Sequence, residues 1–274
     1  MSNPLLKEIF HNLKPIPQND GPNPICSINY TQEFTEAMGY LRAILQIDER
    51  SQRALDLTTI CLKLNPANYT TWHFRRRCLA ELSKQRQHSS NSSTYDEAFV
   101  QEDLKLASEL GGGNPKNYQI WYHRRALLES YLDTTTHEHE DQVLKSTQEL
   151  KYISSVFEID PKNYHAWSHR QWILRFVKDS MLWEEELKYV DYLLDEDCRN
   201  NSAWNQRWFV AHKGISDVLN LEDAVVEVEY AMKYVGVDPY NESPWRYLIG
   251  VLSEQYNSAT DDKSEFILSF KRYI

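Results

Sequence analysis

The chain has 274 residues, of which 41% are hydrophobic and 26% charged, a composition that is typical of a folded protein and excludes a disordered or collagen-like one. Its formal net charge of −10 argues against a general nucleic-acid binder, because such proteins need a basic surface to neutralise phosphates. With 8 glycines beside 8 tryptophans and 17 tyrosines it favours helices, since all-β and Rossmann-type folds use more glycine in turns and phosphate loops.

The sequence shows no signal for export or membrane insertion. Residues 1–16 mix charged with apolar side chains and lack the apolar core of a secretory signal. No stretch approaches the roughly 20 apolar residues that a membrane span needs. The 4 cysteines include no C-x-x-C pair, which indicates neither a zinc site nor a disulfide framework. We therefore predict a cytoplasmic protein with no metal ligands, whose cysteines are buried or half-buried thiols: Cys26, Cys61, Cys78 and Cys198.

The N-terminal region is rich in proline. The segment PIPQNDGPNP, residues 15–24, has four prolines and one glycine and is expected to be extended rather than helical. We predict an extended segment over residues 1–30 and helical hairpins over residues 31–274. The proline-rich part is either a plain linker or a strap laid along a partner.

Five copies of one motif follow, reading approximately Asn/Asp-Pro-x-Asn-Tyr-x-x-Trp-x-x-Arg. They begin at Asn65, Asn114, Asp160, Cys198 and Asp238, and their tryptophans are Trp72, Trp121, Trp167, Trp204 and Trp245. Without the two inserts described below, the spacing is close to the roughly 34 to 40 residues of helix-pair repeats. We therefore predict an all-α solenoid of helical hairpins, similar to tetratricopeptide arrays, with each tryptophan packed between neighbouring hairpins.

Each motif contains the signals that end one helix and start the next. Proline is expected to stop the first helix at Pro66, Pro115, Pro161 and Pro239. Asparagine is expected to cap the second helix at Asn68, Asn117, Asn163, Asn201 and Asn241. The arginines three residues after the tryptophans are Arg75, Arg124, Arg170 and Arg207, and the fifth copy has Leu248 instead. We favour ion pairs with acids of the adjacent helix, such as those of ELKYVDYLLDED, over substrate contact for these arginines.

Two polar, low-complexity inserts lengthen the first two spacings. They are KQRQHSSNSSTYDE at Lys84–Glu97 and DTTTHEHED at Asp133–Asp141. Since both interrupt the repeat between helices, we expect them to be dispensable.

Several segments together resemble the α subunit of protein farnesyltransferase and geranylgeranyltransferase I. They are PIPQNDGPNP, LRAILQIDERSQRAL, NYTTWHFRR, NPKNYQIWYHRR, NYHAWSHRQW, RNNSAWNQR and NESPWRYL, in order from about residue 7 to about residue 250. The resemblance implies a right-handed α–α superhelix, shaped as a crescent around an α–α barrel β subunit. Members of this family continue through further helical pairs beyond the position of Ile274, so a shortened chain is expected to bind β more weakly.

The resemblance also implies an activity. In this family the heterodimer transfers a farnesyl or geranylgeranyl group from prenyl diphosphate to a cysteine near the C-terminus of CaaX proteins such as small GTPases. The β subunit holds the catalytic zinc and sets the lipid length. Zn²⁺, with Mg²⁺ as a further candidate, is therefore expected in the complex and not in this chain.

The resemblance gives single residues roles at the helix-start turns. Lys116 matches the lysine that contacts the diphosphate, and a cation beside a helix N-terminus suits the charge that grows on this leaving group. Gln119 matches the position that binds the C-terminal carboxylate of the protein substrate, and Tyr69 lies close to the peptide exit. The residues placed beside the cleft and the β interface are Tyr118, Asn163, Tyr164 and His165.

Each role has a simpler alternative. Lys162 occupies the same motif position as Lys116, and a lysine in such a turn is commonly only a solvated charge. The three tyrosines could instead be packing residues that recur for the same reason as tryptophan. For the whole chain, the alternatives are a noncatalytic helical-repeat adaptor and a Rab-type geranylgeranyltransferase α subunit, which would also need an escort protein. We expect His73, His123 and His169 to be structural.

Overall fold

The computed structural model describes residues 4–26, 28–86, 95–132, 139–213 and 218–258, and these residues contain helices and no strand. The described helices are α1 Pro4–Ile9, α2 Gln32–Ile47, α3 Gln52–Leu64, α4 Tyr69–Arg86, α5 Glu97–Gly111, α6 Tyr118–Leu132, α7 His139–Ile159, α8 Tyr164–Val177, α9 Ser180–Glu196, α10 Asn201–Ala211, α11 Leu221–Val237 and α12 Glu242–Ser258. The prediction of an all-α fold is confirmed.

The helices form two compact units, Met1–Glu138 with α1 to α6 and His139–Ile274 with α7 to α12. In the first unit α3 pairs with α4 and α5 with α6, and α4 also packs against α6. In the second unit the pairs are α7/α8, α9/α10 and α11/α12, and α10 packs against both α8 and α12. Each sequence motif therefore lies where a helical hairpin turns, as predicted for a solenoid.

The short helix α1 lies inside the segment predicted to be extended. The prediction for residues 1–30 is therefore wrong at Pro4–Ile9. Leu6 and Phe10 are buried in the apolar core of the first unit. Their burial explains the helix, because six residues would not hold a helix by propensity alone.

The proline-rich segment contains no described helix, and its start lies against α2 of its own chain. The backbone N–H of Ile16 donates to the carbonyl of Gly39 at 3.0 Å, and Arg42 Nε donates to the carbonyl of Ile16 at 2.8 Å. A methyl group on Gly39 would lie 3.0 Å from Pro15 Cβ, so glycine permits this close approach. Residues 17–26 are exposed.

Buried ion pairs join three of the hairpins, α3/α4, α7/α8 and α9/α10, to the first helix of the next one. The arginines of the motif supply the cations, which confirms the predicted pairing with acids of the adjacent helix for Arg75, Arg170 and Arg207. The pairs are Arg75–Asp103, Arg170–Glu186 and Arg207–Glu227, with N–O distances of 2.6, 2.7 and 2.6 Å. The guanidinium of Arg124, on α6, donates to Ser108 Oγ, on α5 of the same hairpin, at 2.8 Å.

The same buried acids accept a second hydrogen bond from their own hairpin, always from a residue 20 positions later. The donor type changes along the chain. The contacts are His123–Asp103 at 3.0 Å, Gln206–Glu186 at 2.7 Å and Tyr247–Glu227 at 2.7 Å. His169 contacts Glu149 in the same way at 2.9 Å, so His123 and His169 are structural, as expected.

Burial and pairing act in opposite directions on the pKa of Asp103. Burial alone would raise it, but the hydrogen bond from His123 and the charge of Arg75 outweigh burial and lower the pKa. At His123 burial is the larger effect and lowers the pKa of the imidazole from 6.5. The buried group is therefore an arginine–carboxylate pair with a neutral histidine as second donor.

The four cysteines differ in exposure. Cys61 and Cys78 are buried and Cys198 is partly buried, as predicted, whereas Cys26 is exposed. Burial raises the pKa of the Cys61 and Cys78 thiols to about 12, which makes them poor nucleophiles.

Within the described ranges, no helix has the length and apolar character that a bilayer crossing requires.

The first polar insert is shorter than the predicted Lys84–Glu97. Helix α4 continues to Arg86, and Asp96 caps α5 by accepting from the N–H of Ala98 at 3.2 Å. The rest of the insert, residues 87–94, lies outside the described residues. At the second insert α7 already begins at His139, and residues 133–138 lie outside the described part.

Candidate functional site at the helix-start turns

The turns between the two helices of each hairpin share one hydrogen-bonded frame. Between α5 and α6, Asn114 Oδ1 accepts from the backbone N–H of Lys116 at 3.2 Å. The carbonyl of Asn114 accepts from the N–H of Asn117 at 3.1 Å, and the equivalent backbone bond measures 3.0 to 3.2 Å in the other four turns. The backbone around Lys116 is therefore fixed from both sides.

The motif tryptophans stabilise this frame. In each of the five turns the indole Nε1 donates to the carbonyl six residues earlier, at 2.7 to 2.9 Å. The first four rings are buried, and Trp245 is 39% exposed. Trp72 contacts His123 and Trp204 contacts Tyr247, with ring centroids 4.4 and 5.2 Å apart, which confirms the predicted packing between neighbouring hairpins for these two tryptophans.

The predicted asparagine caps are correct in four turns and wrong in one. Side-chain oxygens of Asn68, Asn117, Asn163 and Asn241 accept from backbone N–H groups of their own helices at 3.0 to 3.1 Å. In the fourth turn the cap is Asn200, which accepts from Ser202 and Ala203, and Asn201 is the first residue of α10.

The prediction of Asn201 follows from starting the fourth copy of the motif at Cys198, one residue too late. That turn begins at Asp197, whose carboxylate accepts from the N–H of Arg199 at 2.9 Å, so Cys198 takes the proline position. A cap four residues before Trp204 is then Asn200. The opening Asn or Asp of each turn, such as Asn114, is part of the sequence motif, but its role as acceptor for the N–H two residues later was not predicted.

The first unit brings four predicted site residues onto two turns that are hydrogen-bonded to each other. Tyr69 starts α4 and Tyr118 starts α6, and their side chains are 68% and 62% exposed. Lys116, one residue before the cap of α6, is also exposed. Gln119 is only 9% exposed, so most of its side chain is covered by its own chain.

The second unit holds the other three predicted residues on the single turn between α7 and α8. Asn163 is buried and caps α8 through the N–H of Ala166 at 3.1 Å. Tyr164 is 76% exposed, and His165 is partly exposed with its ring 5.7 Å from that of Tyr164. These residues occupy the same motif positions as Asn117, Tyr118 and Gln119 in the first unit.

Exposure separates the tyrosines from the tryptophans. A packing role would bury the rings of Tyr69, Tyr118 and Tyr164, yet more than half of each side chain is accessible. An exposed phenol can stack on an apolar chain with its ring and donate a hydrogen bond with its hydroxyl. The turns therefore present aromatic rings on a rigid frame.

The turn before α6 also suits an anion. The first N–H groups of a helix carry a partial positive charge, and Lys116 adds a full charge beside them. Lys162 is exposed at the equivalent position before α8. In the described part of the chain no group of three or more histidine, cysteine or acidic side chains could hold a metal ion, so no residue here is assigned to zinc.

Comparison with known proteins agrees with these features. The family model described as "Protein prenyltransferase alpha subunit repeat" matches residues 51–82, 100–131, 146–177 and 183–213. The "Protein farnesyltransferase/geranylgeranyltransferase type-1 subunit alpha" of Dictyostelium discoideum is 41% identical over 90% of this chain and 70% of its own length. The protein of the same name from Solanum lycopersicum is 43% identical over 38% of this chain, a match that spans 26% of the relative.

A solved structure has the same fold. The chain from "Candida albicans protein geranylgeranyltransferase-I complexed with GGPP" superposes with a TM-score of 0.72 and 26% identity, covering 95% of this chain and 79% of that one. The long match to the Dictyostelium subunit and the recurring turn motif lead to one conclusion: the chain belongs to the protein prenyltransferase α-subunit family.

Proposed function

We propose that this chain is the α subunit of a heterodimeric CaaX protein prenyltransferase. Together with a β subunit it transfers a farnesyl or geranylgeranyl group from prenyl diphosphate to a cysteine thiol near the C-terminus of its substrate proteins. The observation that carries the proposal is the turn Lys116–Tyr118, which holds an exposed lysine and an exposed tyrosine on a fixed backbone at a helix start.

The partner and the lipid follow from the relatives. The similar Candida albicans structure is named as a geranylgeranyltransferase-I complexed with GGPP. By analogy we infer a β subunit and a prenyl diphosphate as ligands of the complex, in the cytoplasm. Substrate proteins that end in a CaaX sequence, such as small GTPases, complete the reaction.

Lys116 is proposed to stabilise the leaving group. As the carbon–oxygen bond breaks, negative charge grows on the diphosphate, and an ammonium group nearby stabilises the transition state more than the ground state. The frame supports this role because Asn114 and Asn117 already hold the backbone of the turn. Little reorganisation is then needed when the charge develops.

The exposed rings are proposed to contact substrates and the partner. We assign Tyr118 and Tyr164 each to a contact in which the hydroxyl group donates to the diphosphate or to the peptide, and His165 lies next to Tyr164. Tyr69 is assigned to the exit path of the peptide. Gln119 is assigned to the C-terminal carboxylate of the peptide, although the residue is only 9% exposed.

The buried Asn163 is proposed to have a positioning role and not a direct contact with substrate. Since its amide oxygen caps α8, it holds Tyr164 and His165 in place rather than meeting the substrate with its own side chain. Zinc, when bound by the β subunit, would supply an activated thiolate of the substrate cysteine. No described residue of this chain is proposed as its ligand.

Co-expression with farnesyltransferase and geranylgeranyltransferase I β subunits tests the proposal. The purified complexes are mixed with radiolabelled farnesyl or geranylgeranyl diphosphate and a CaaX peptide, and label on the peptide is counted. We expect transfer with at least one β subunit and none with either subunit alone. A stable complex with each β subunit and no transfer would contradict the enzyme function, and failure to bind either β subunit would favour the adaptor.

A further inference from the structure

Both polar atoms of the Asn117 side-chain amide form hydrogen bonds. Its Oδ1 caps α6 by accepting from the N–H of Gln119 at 3.1 Å. Its Nδ2 reaches back to the preceding turn and donates to the carbonyl of Pro66 at 2.8 Å. The residue is buried, so water does not compete for either bond.

The acceptor of this second bond is itself fixed. The carbonyl of Pro66 also accepts from Trp72 Nε1 at 2.8 Å, and a carbonyl oxygen has two lone pairs for two donors. Asn117 therefore connects its turn to a point that the tryptophan of the previous hairpin already holds. The two connected turns are those that carry Tyr69 on one side and Lys116 and Tyr118 on the other.

The second unit repeats the arrangement in a place without predicted site residues. Asn241 caps α12 through the N–H of Ser243 at 3.1 Å and donates with Nδ2 to the carbonyl of Cys198 at 2.7 Å. That carbonyl also accepts from Trp204 Nε1 at 2.9 Å. The two asparagines make the same bonds, so they form a matched pair in which only one adjoins the candidate site.

We propose that Asn117 is a positioning residue, whose amide sets the distance between the turn of Tyr69 and the turn of Lys116 and Tyr118. Asn117 is the chain neighbour of both Lys116 and Tyr118, so a shift of its side chain moves their backbone directly. Groups on two different turns act on one substrate only if their separation is fixed, and a displacement of about 1 Å can cost on the order of a hundredfold in rate. This role rests on the proposed transferase function.

The test compares Asn117→Ser with Asn241→Ser. Serine keeps a capping oxygen but has no amide to reach the neighbouring turn, so both variants lose the same inter-turn bond. Each is co-expressed with the active β subunit, and single-turnover transfer and steady-state kcat and KM are measured with labelled prenyl diphosphate. We expect Asn117→Ser to reduce the single-turnover rate by about 10- to 100-fold with little change in KM for the lipid, and Asn241→Ser to stay within about twofold of wild type.

Thermal unfolding of both complexes checks that the two substitutions cost similar stability. Equal rates for the two variants would overturn the positioning role, whereas a wild-type complex without transfer would overturn the proposed function and this role with it. If Asn117→Ser does not assemble, Asn117→Asp keeps the cap and the volume without the donor. Loss of assembly in both, with Asn241→Ser assembling normally, would make the bond structural and would also overturn the proposal.

Discussion

Replacing Asp103 by leucine removes the acceptor of three hydrogen bonds, two from Arg75 and one from His123. The side chains of Arg75 and Asp103 are 7% and 2% exposed, so water cannot substitute for the carboxylate. Breaking a buried pair by removing one partner costs about 3 to 5 kcal/mol. Since Arg75 keeps its bond to Thr58 Oγ1 at 2.8 Å, we expect the lower end, about 3 kcal/mol.

A double-mutant cycle measures this coupling. Urea unfolding of the full chain, followed by helical circular dichroism, gives the free energy of unfolding for wild type, Asp103→Leu, Arg75→Met and the double variant. Because the double variant buries no charge at this site, it should be destabilised less than Asp103→Leu alone. Arg246→Ala, in an exposed ion pair, is the control and should change stability by less than about 0.5 kcal/mol. Additive single effects would refute the pairing argument.

Three further predictions concern stability. Gly250→Ala should destabilise the chain by about 1 to 2 kcal/mol in urea unfolding despite the higher helix propensity of alanine, because the new methyl would lie 2.9 Å from the Trp208 ring. Burial lowers the pKa of His123, so the unfolded state binds the proton more readily and stability should fall below about pH 6.5, by up to about 1.4 kcal/mol per pH unit. In a pH series, the free energy of unfolding should fall less with decreasing pH for His123→Gln than for wild type. An equal fall would mean that protonation of His123 does not cause the loss of stability. Deleting residues 87–94 should leave the thermal midpoint nearly unchanged, whereas deleting Lys84–Glu97 should lower it because the cap of α5 is lost.

The repeat and its turns were predictable because their signals are local. Proline ends one helix, asparagine four residues before tryptophan starts the next, and both act through backbone hydrogen bonds that any copy of the motif must make. The fourth copy shows the limit of such reasoning. With Cys198 in the proline position and Asn200 beside Asn201, two asparagines could serve as the cap, and only the spacing to Trp204 selects the correct one.

The buried acids were harder to identify, because their partners vary. His123, Gln206 and Tyr247 are chemically different residues, yet each donates to an acid 20 positions earlier. What they share is a position on the second helix and a hydrogen atom to donate. A search for polar pairs at this constant separation would have found them, whereas a search for a repeated residue type could not.

Exposure at the candidate site could not be read from the sequence either. Tyr118 and Trp121 lie within one turn of the same helix, and both are aromatic residues that recur in the motif. The tryptophan is buried because its indole bonds back to Pro115, while the tyrosine at the helix start lies outside this contact. Gln119 shows the converse, since a polar residue predicted to meet substrate is largely covered.

Single-turnover prenyl transfer by purified heterodimers tests whether Lys116 stabilises the departing diphosphate. Lys162→Ala is the matched control, because Lys162 is exposed at the same position of the next motif. We predict that Lys116→Ala assembles normally and slows the chemical step by about 10²- to 10³-fold, and that Lys162→Ala costs much less. Equal single-turnover rates for wild type and Lys116→Ala would contradict the claim and leave Lys116 as a solvated surface charge.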